Sequence, residues 1–307
     1  MDNTQIQHKE RGLGWVSQLL LLLSGIFWGC SFVFTKDLFL SEPHITTNLI
    51  VMMRLFVATI VAMPFLWITK RLEIPNKKDI PWFMVLSFGE PFIYSILETA
   101  GVRLVSGSLA SLIIATIPLF VPFAMAAVYK ERLRVASVLG VVISLMGIAI
   151  MMLGPDLSFS ANPMGLFYLT LAVLVAVCYT LALVRIIDRN YKPFTITVWQ
   201  NFISLIYFIP IVLILDVDKI PMLSFSVRMV GDFLFLGICC STVAYACFNY
   251  GIKWVGATAA SAYNNLIPVF SLLLAVLIGQ EGLSWQKVVG MIVVITGLFI
   301  AQVRKKQ

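Results

Sequence analysis

Ten apolar runs, each of about 20 residues and so long enough to cross ~30 Å of hydrocarbon as a helix, dominate this chain. They fall at roughly 16–36, 46–69, 81–102, 106–129, 134–153, 163–186, 195–215, 228–251, 258–279 and 285–303. The connections are too short to hold a separate soluble domain, so whatever the chain does happens in or across a membrane. Composition agrees: 60% of the 307 residues are hydrophobic and 12% charged, against about 45–50% and 25% in a soluble domain. The first run, "WVSQLLLLLSGIFWGCSFVF", exceeds the roughly 7–15 residues of a signal-peptide core and reads as a span. The expectation is an all-α membrane protein with ten transmembrane helices.

Lysine and arginine set the orientation. With a cytoplasmic N-terminus, sixteen of them collect on the cytoplasmic side, including Lys70, Arg71, Lys77, Lys78, Lys130, Arg132, Arg134, Arg189, Lys192 and the Arg304–Lys306 cluster. Five fall on the far side: Lys36, Arg103, Lys219, Arg228 and Lys287. Both termini are therefore expected in the cytoplasm, and the net charge of +7 needs no nucleic acid to explain it. The remaining cation, Arg54, lies inside a span.

The chain repeats. With a constant offset of 150, Gly101 meets Gly251, "AS" at 110–111 meets "AS" at 260–261, and "IPLF" at 117–120 meets "IPVF" at 267–270. Glu131 meets Glu281, Leu133 meets Leu283, Gly140 meets Gly290 and Gly147 meets Gly297. Earlier in each half the match is looser: Pro64 and Pro210 close comparable spans, and Arg54 has no basic counterpart near Gln200. The reading is two units, 1–153 and 154–307, of five spans each. An odd number of spans inverts the second unit, the plan from which alternating-access transporters are built.

These blocks resemble the EamA-type transporters of the drug/metabolite transporter superfamily. The likeness is carried by "FWGCSFVFTK" (27–36), "MRLFVATIVAMP" (53–64) and "LASLIIATIPLFVPFAMAAVYKERL" (109–133) in the first half. In the second it is carried by "NYGIKWVGATAASAYNNLIPVFSLLLAVLIGQEGLSW" (249–285) and "GMIVVITGLFI" (290–300). The resemblance implies ten helices, cytoplasmic termini in a bacterial inner membrane, and secondary active transport, commonly export, of small metabolites such as amino acids. It also implies an arginine at position 54 whatever the substrate. The acids of "FGEPFIYSILETAG" (88–101) and the lack of a Trp-Gly pair in the sixth span depart from the pattern.

A charge at mid-membrane costs at least about 2.5–3.5 kcal/mol, so Arg54 needs a partner. Glu90 and Glu98 on the third span flank it in depth. Arg54 is either a structural or gating tether to one of them or a seat for a substrate carboxylate. Glu90, Tyr94 and Glu98, spaced by four, share one helical stripe. Desolvation favours the neutral form of a carboxyl group, which suits a proton carrier. Glu90 is the candidate coupling site, with a permanent Arg54 partnership as the alternative; Glu98, nearer the surface, is expected to be wetted. Pro91 frees the carbonyl of Ser87, and Pro118 and Pro268, at matched mid-span positions, free those of Ile114 and Asn264. Tyr263, Asn264 and Asn265 then either bind substrate at such a break or repair it. Trp28 and Tyr245 suit an amphipathic pocket, with Tyr179 and Asn249 further candidates; Tyr250 and Trp254 suit the interface. Gly25 and Gly29, and the pairs 140/147 and 290/297, suit close helix packing, a dimer seam being open.

The substrate class is expected to be a small amphipathic metabolite, moved with protons as the coupling ion. A multidrug or lipid-linked-sugar exporter and a non-transporting receptor remain alternatives. A phosphate-bearing substrate would want buried cations, and the spans from 228 onward have none inside. An intramembrane enzyme would need a nucleophile–base pair or metal ligands at depth, but His8 and His44 lie in a tail and a loop. The five cysteines sit in spans without CxxC spacing, and no GxxxxGK[ST] loop offers ATP. No cofactor or metal is implied, and the oligomeric state, a monomer included, is open.

Overall fold

The computed structural model describes residues 3–129, 135–152, 161–187, 189, 191–255, 260 and 262–302. Lys130 to Arg134, Ser261 and the Arg304–Lys306 cluster, on which parts of the repeat and charge arguments rest, lie outside the described residues. The first half contains α1 (Asn3–Ser41), α2 (Thr47–Ile68), α3 (Ile80–Ser87), α4 (Tyr94–Leu104), α5 (Gly107–Ile114), α6 (Ile117–Tyr129) and α7 (Val135–Met152). The second contains α8 (Pro163–Ile187), α9 (Pro193–Leu215), α10 (Val227–Leu234), α11 (Tyr245–Val255), α12 (Ile267–Leu277) and α13 (Trp285–Gln302). Among the described residues, seven helical stretches are long and apolar enough to cross a membrane, and three shorter apolar ones, Val138–Met152, Tyr263–Leu277 and Trp285–Gly297, fall in the remaining apolar runs.

Burial is inside-out relative to a soluble protein. Trp67 and Ile68 are 74% and 78% exposed and Ile214 77%, a surface that only lipid covers without cost. Ser87, Ser204 and Asn249 are fully buried, and such groups must find partners inside.

The expected continuous helices 81–102, 106–129, 228–251 and 258–279 are broken. Between α3 and α4 a widened π-type turn spans Phe88–Ile93, and Glu90 is extended at φ −143°, ψ 128°. Pro91 has no N–H and disfavours the helical region for the residue before it, which places the break at Glu90. The Ser87 carbonyl is taken by Ser204 Oγ at 2.8 Å and the Glu90 carbonyl by Gln200 Nε2 at 3.0 Å, both from α9. A second π-type stretch, Phe235–Ala244, joins α10 to α11 without a proline. There Asn201 Nδ2 donates to the Ser241 carbonyl at 2.8 Å, and a Cβ on Gly237 would meet Val57 and the Arg54 carbonyl of α2 at 2.6–2.9 Å.

Pro118 and Pro268 were expected inside helices; each is instead the second residue of a new one, α6 and α12. The first turn of a helix has no partner for that N–H in any case, so proline is tolerated there. Thr116 Oγ1 bonds the Ile113 carbonyl at 2.6 Å across the first break, and a 3-10 turn, Ala262–Leu266, fills the second.

Glycines set the closest approaches. A Cβ on Gly147 would lie 2.7 Å from the Gly290 carbonyl, and one on Gly297 2.7 Å from the Gly140 carbonyl. The matched glycines therefore seat α7 on α13 within one chain rather than forming a seam between copies. Gly29 packs α1 onto α12, where a Cβ would meet the Ile267 carbonyl at 2.7 Å. Polar ties join the connections. Glu281 accepts from Ser108 N at 3.0 Å, Ser108 Oγ at 2.5 Å and Lys287 Nζ at 2.8 Å. Glu73 accepts from Lys192 N at 3.0 Å, capping α9, and pairs with Lys192 Nζ at 2.9 Å.

Gly147→Leu should lower the thermal stability of the solubilised protein by about 1–3 kcal/mol or more, the usual cost of overpacking. Gly231→Ala, whose Cβ would meet nothing within 4 Å, serves as the near-neutral comparison. Burial pushes the Glu281 carboxyl up, but the bonds from Lys287 and Ser108 outweigh it and hold it below its ordinary value. A depressed carboxylate stabilises the fold above its unfolded pKa, about 4.3, and that contribution is lost as pH falls through the folded value. Unfolding curves taken from pH 6 down to pH 3 should therefore show an acid-side loss that is smaller in Glu281→Gln.

Candidate functional site

The breaks bring polar groups to one place. A cavity of about 50 Å³ is lined from α1 by Trp28, from α2 by Arg54, from the first break by Glu90, from α4 by Tyr94 and Glu98, from α8 by Tyr179, from α11 by Tyr245 and from the second repeat's turn by Asn264. By the measure that a water needs about 10–15 Å³, this space is the size of a few waters. Its three charged residues are buried: Arg54 is 5% exposed, and Glu90 and Glu98 7% each.

Arg54 does not pair with Glu90. Its Nε donates to Ser241 Oγ at 2.6 Å, and its Nη1 stands 4.0 Å from Glu98 Oε2. Glu98, expected to be wetted, is enclosed; Tyr94 OH donates to its Oε1 at 3.2 Å. Depth along the α4 axis placed it near an end, but the neighbouring helices wall that end off. Glu90 Oε1 accepts the hydroxyl of Tyr245, which also meets Trp28 edge to face at 5.0 Å. Trp28 Nε1 and Asn264 Oδ1 are buried without a hydrogen-bond partner among the described residues.

Other sequence candidates lie off the cavity. Tyr263 packs, partly buried, against the cluster of Leu21, Phe83 and Phe248. Asn265 is 4% exposed with an unpartnered Oδ1, and Asn249 Nδ2 bonds Thr197 Oγ1 at 3.0 Å. Tyr250 and Trp254 stack loosely at 6.1 Å, Trp254 being half exposed, as an interfacial pair would be.

Sequence reasoning missed Gln200 and Ser241. Gln200 Nε2 bonds both the Glu90 carbonyl and Tyr179 OH, at 3.0 and 3.1 Å, while Arg54 bonds Ser241 in the other break. The one signal was positional: Gln200 occupies in α9 the place that Arg54 occupies in α2. Each second-span side chain thus reaches the broken helix of the other half.

Against known proteins, the EamA-like transporter family matches twice, over residues 15–153 and 163–302. The chain belongs to the EamA-like transporter family. It is 26% identical over 291 residues to an "Uncharacterized transporter" of Archaeoglobus fulgidus, covering 94% of this chain and 99% of that one. It is 22% identical over 288 residues to a "Probable amino-acid metabolite efflux pump" of Salmonella typhimurium, covering 92% and 93%. A crystal structure 17% identical in sequence superposes with a TM-score of 0.66, over 91% of this chain and 97% of that one, which shows a shared fold. This EamA-like protein is accordingly a multi-pass membrane transporter with a small-molecule substrate.

Gln200→Leu would leave the Glu90 carbonyl buried without its donor, a loss of about 1–3 kcal/mol. Ser204→Ala should cost at most that much. Thermal unfolding of both variants, and of the double variant, checks whether the two clamps on the first break act together.

Proposed function

We propose that this protein is a proton-coupled secondary active transporter that exports small amphipathic metabolites, amino acids among them, by alternating access. The observation that carries the reading is the buried cavity that gathers two carboxylates and one guanidinium at the point where broken helices of both halves meet. A membrane protein keeps ionisable groups at depth only where they work or pair, and here the carboxylates outnumber the cation.

The reading includes ten membrane crossings in two inverted units, 1–153 and 154–307, with both termini in the cytoplasm of a bacterial inner membrane. The internal repeat, the twofold family match and the reciprocal clamps from α2 and α9 support it. In this arrangement the cavity lies buried among the helices, and substrate enters when one half rocks away from the other. Glu90 is the coupling site: its carboxyl is bound by Tyr245 and has no cationic partner among the described residues, so it is free to exchange a proton as access changes. Arg54 and Glu98 form the second element, a charge pair that holds α2 and α4 against the 235–244 break. The Salmonella relative's printed name supports amino acids as the first substrates to try.

Reconstituted in liposomes, the protein should accumulate a labelled amino acid when a pH gradient is imposed and should stop concentrating it when the gradient is collapsed. Glu90→Gln should abolish gradient-driven accumulation while leaving exchange of substrate across the membrane measurable. If Glu90→Gln still concentrates substrate, Glu90 is structural. If no solute moves under any gradient, the transport reading itself fails and a receptor role takes its place.

A further inference from the structure

The polar groups of the cavity are unequal in what remains available. Arg54, the sole cation lining it among the described residues, has its Nε on Ser241 and its charge balanced by Glu98 at 4.0 Å. On the acceptor side, Glu90 bonds Tyr245 through Oε1 alone among the described residues. Asn264, 8% exposed, carries a buried Oδ1 with no donor among the described residues. Trp28 Nε1 is a buried donor on the lining that has no acceptor among the described residues. The walls beside Glu90 are aromatic, with Trp28 5.0 Å from both Tyr245 and Phe248.

We infer that the cavity recognises the ammonium group of its substrate, and that a substrate carboxylate is dispensable. The substrate class is amphipathic primary amines, of which amino acids are one kind; the inference rests on the transport reading above. An ammonium brings three N–H donors. One reaches the free oxygen of Glu90, one reaches Asn264 Oδ1, and the charge lies against the faces of Trp28 and Tyr245, where a desolvated cation is attracted by the ring quadrupole. The buried donor Trp28 Nε1 is satisfied by any carbonyl oxygen, charged or not. A second anion in the site would have only a guanidinium already facing Glu98 to balance it. An uncompensated carboxylate removed from water is strongly disfavoured.

The test separates the two ends of the ligand. Phenylalanine, phenylalaninamide, phenethylamine and N-acetylphenylalanine are titrated calorimetrically into the solubilised protein and used to inhibit labelled phenylalanine uptake in liposomes. The amide, which keeps the ammonium and a neutral carbonyl, should bind within about threefold of phenylalanine or more tightly. N-acetylphenylalanine, which keeps only the carboxylate, should bind at least about thirtyfold more weakly, the loss expected when one member of a buried charge pair is removed. Phenethylamine should fall between them, since it leaves Trp28 Nε1 unserved. Glu90→Gln should weaken the amide about tenfold or more, with wild-type circular dichroism showing that the variant is folded. If N-acetylphenylalanine competes and the amide does not, the ammonium inference is overturned while the transport reading stands. If no member of the panel binds or moves, both fall.

Discussion

In hydrocarbon, a backbone carbonyl without a donor has no water to turn to, and each such group costs several kcal/mol. The architecture of this transporter follows from where it meets that requirement. A helix can be interrupted at membrane depth only if something reaches across to the freed groups. Here Ser204 and Gln200 of α9 serve the break at Glu90, and Asn201 of α9 serves the break at 235–244, where Arg54 of α2 bonds the hydroxyl of Ser241. The interruptions turn side chains of four segments toward one point, so that the polar cavity is a by-product of the same bonds that keep the breaks tolerable.

Much of this was legible in the sequence, and the misses have physical causes. Apolar run lengths located the helices, because span length is dictated by bilayer thickness rather than by tertiary contacts. Pro91 announced the freed Ser87 carbonyl, since a missing N–H is a local fact. The donor that repairs it was not legible, because Ser204 is more than a hundred residues away and only packing chooses it. The 235–244 break carries no proline at all; it coincides with the seating of Gly237 against Val57 of α2, a tertiary contact invisible along the chain. Glu98, expected as a wetted or entrance residue, is 7% exposed and lines the cavity; depth along one helix says nothing of what stands beside it.

The charged residues follow the same logic. From the sequence, Arg54 is open to pairing a glutamate, capping freed carbonyls or seating a substrate carboxylate; its hydrogen bond in the structure is to a serine hydroxyl. The guanidinium divides its work between a neutral acceptor and a carboxylate at 4.0 Å, which a planar group with five donors does readily. That division leaves Glu90 to Tyr245 and so makes the two acids chemically different despite equal burial; the single helical stripe expected from their spacing is interrupted, because Glu90 is extended at the break while Tyr94 and Glu98 lie on α4.

The glycine contacts between α7 and α13 carry a consequence for motion. Where side chains interdigitate, a helix can shift by letting rotamers change. At Gly147 and Gly290 there are no rotamers, and the two backbones touch directly. Any sliding or rotation there must first separate the helices, giving up their closest van der Waals contacts along with it. In the alternating-access cycle proposed above, α7 and α13 would act together as a stationary post, and the movements that open the cavity would fall to the helices bearing Arg54, Glu90 and Tyr245.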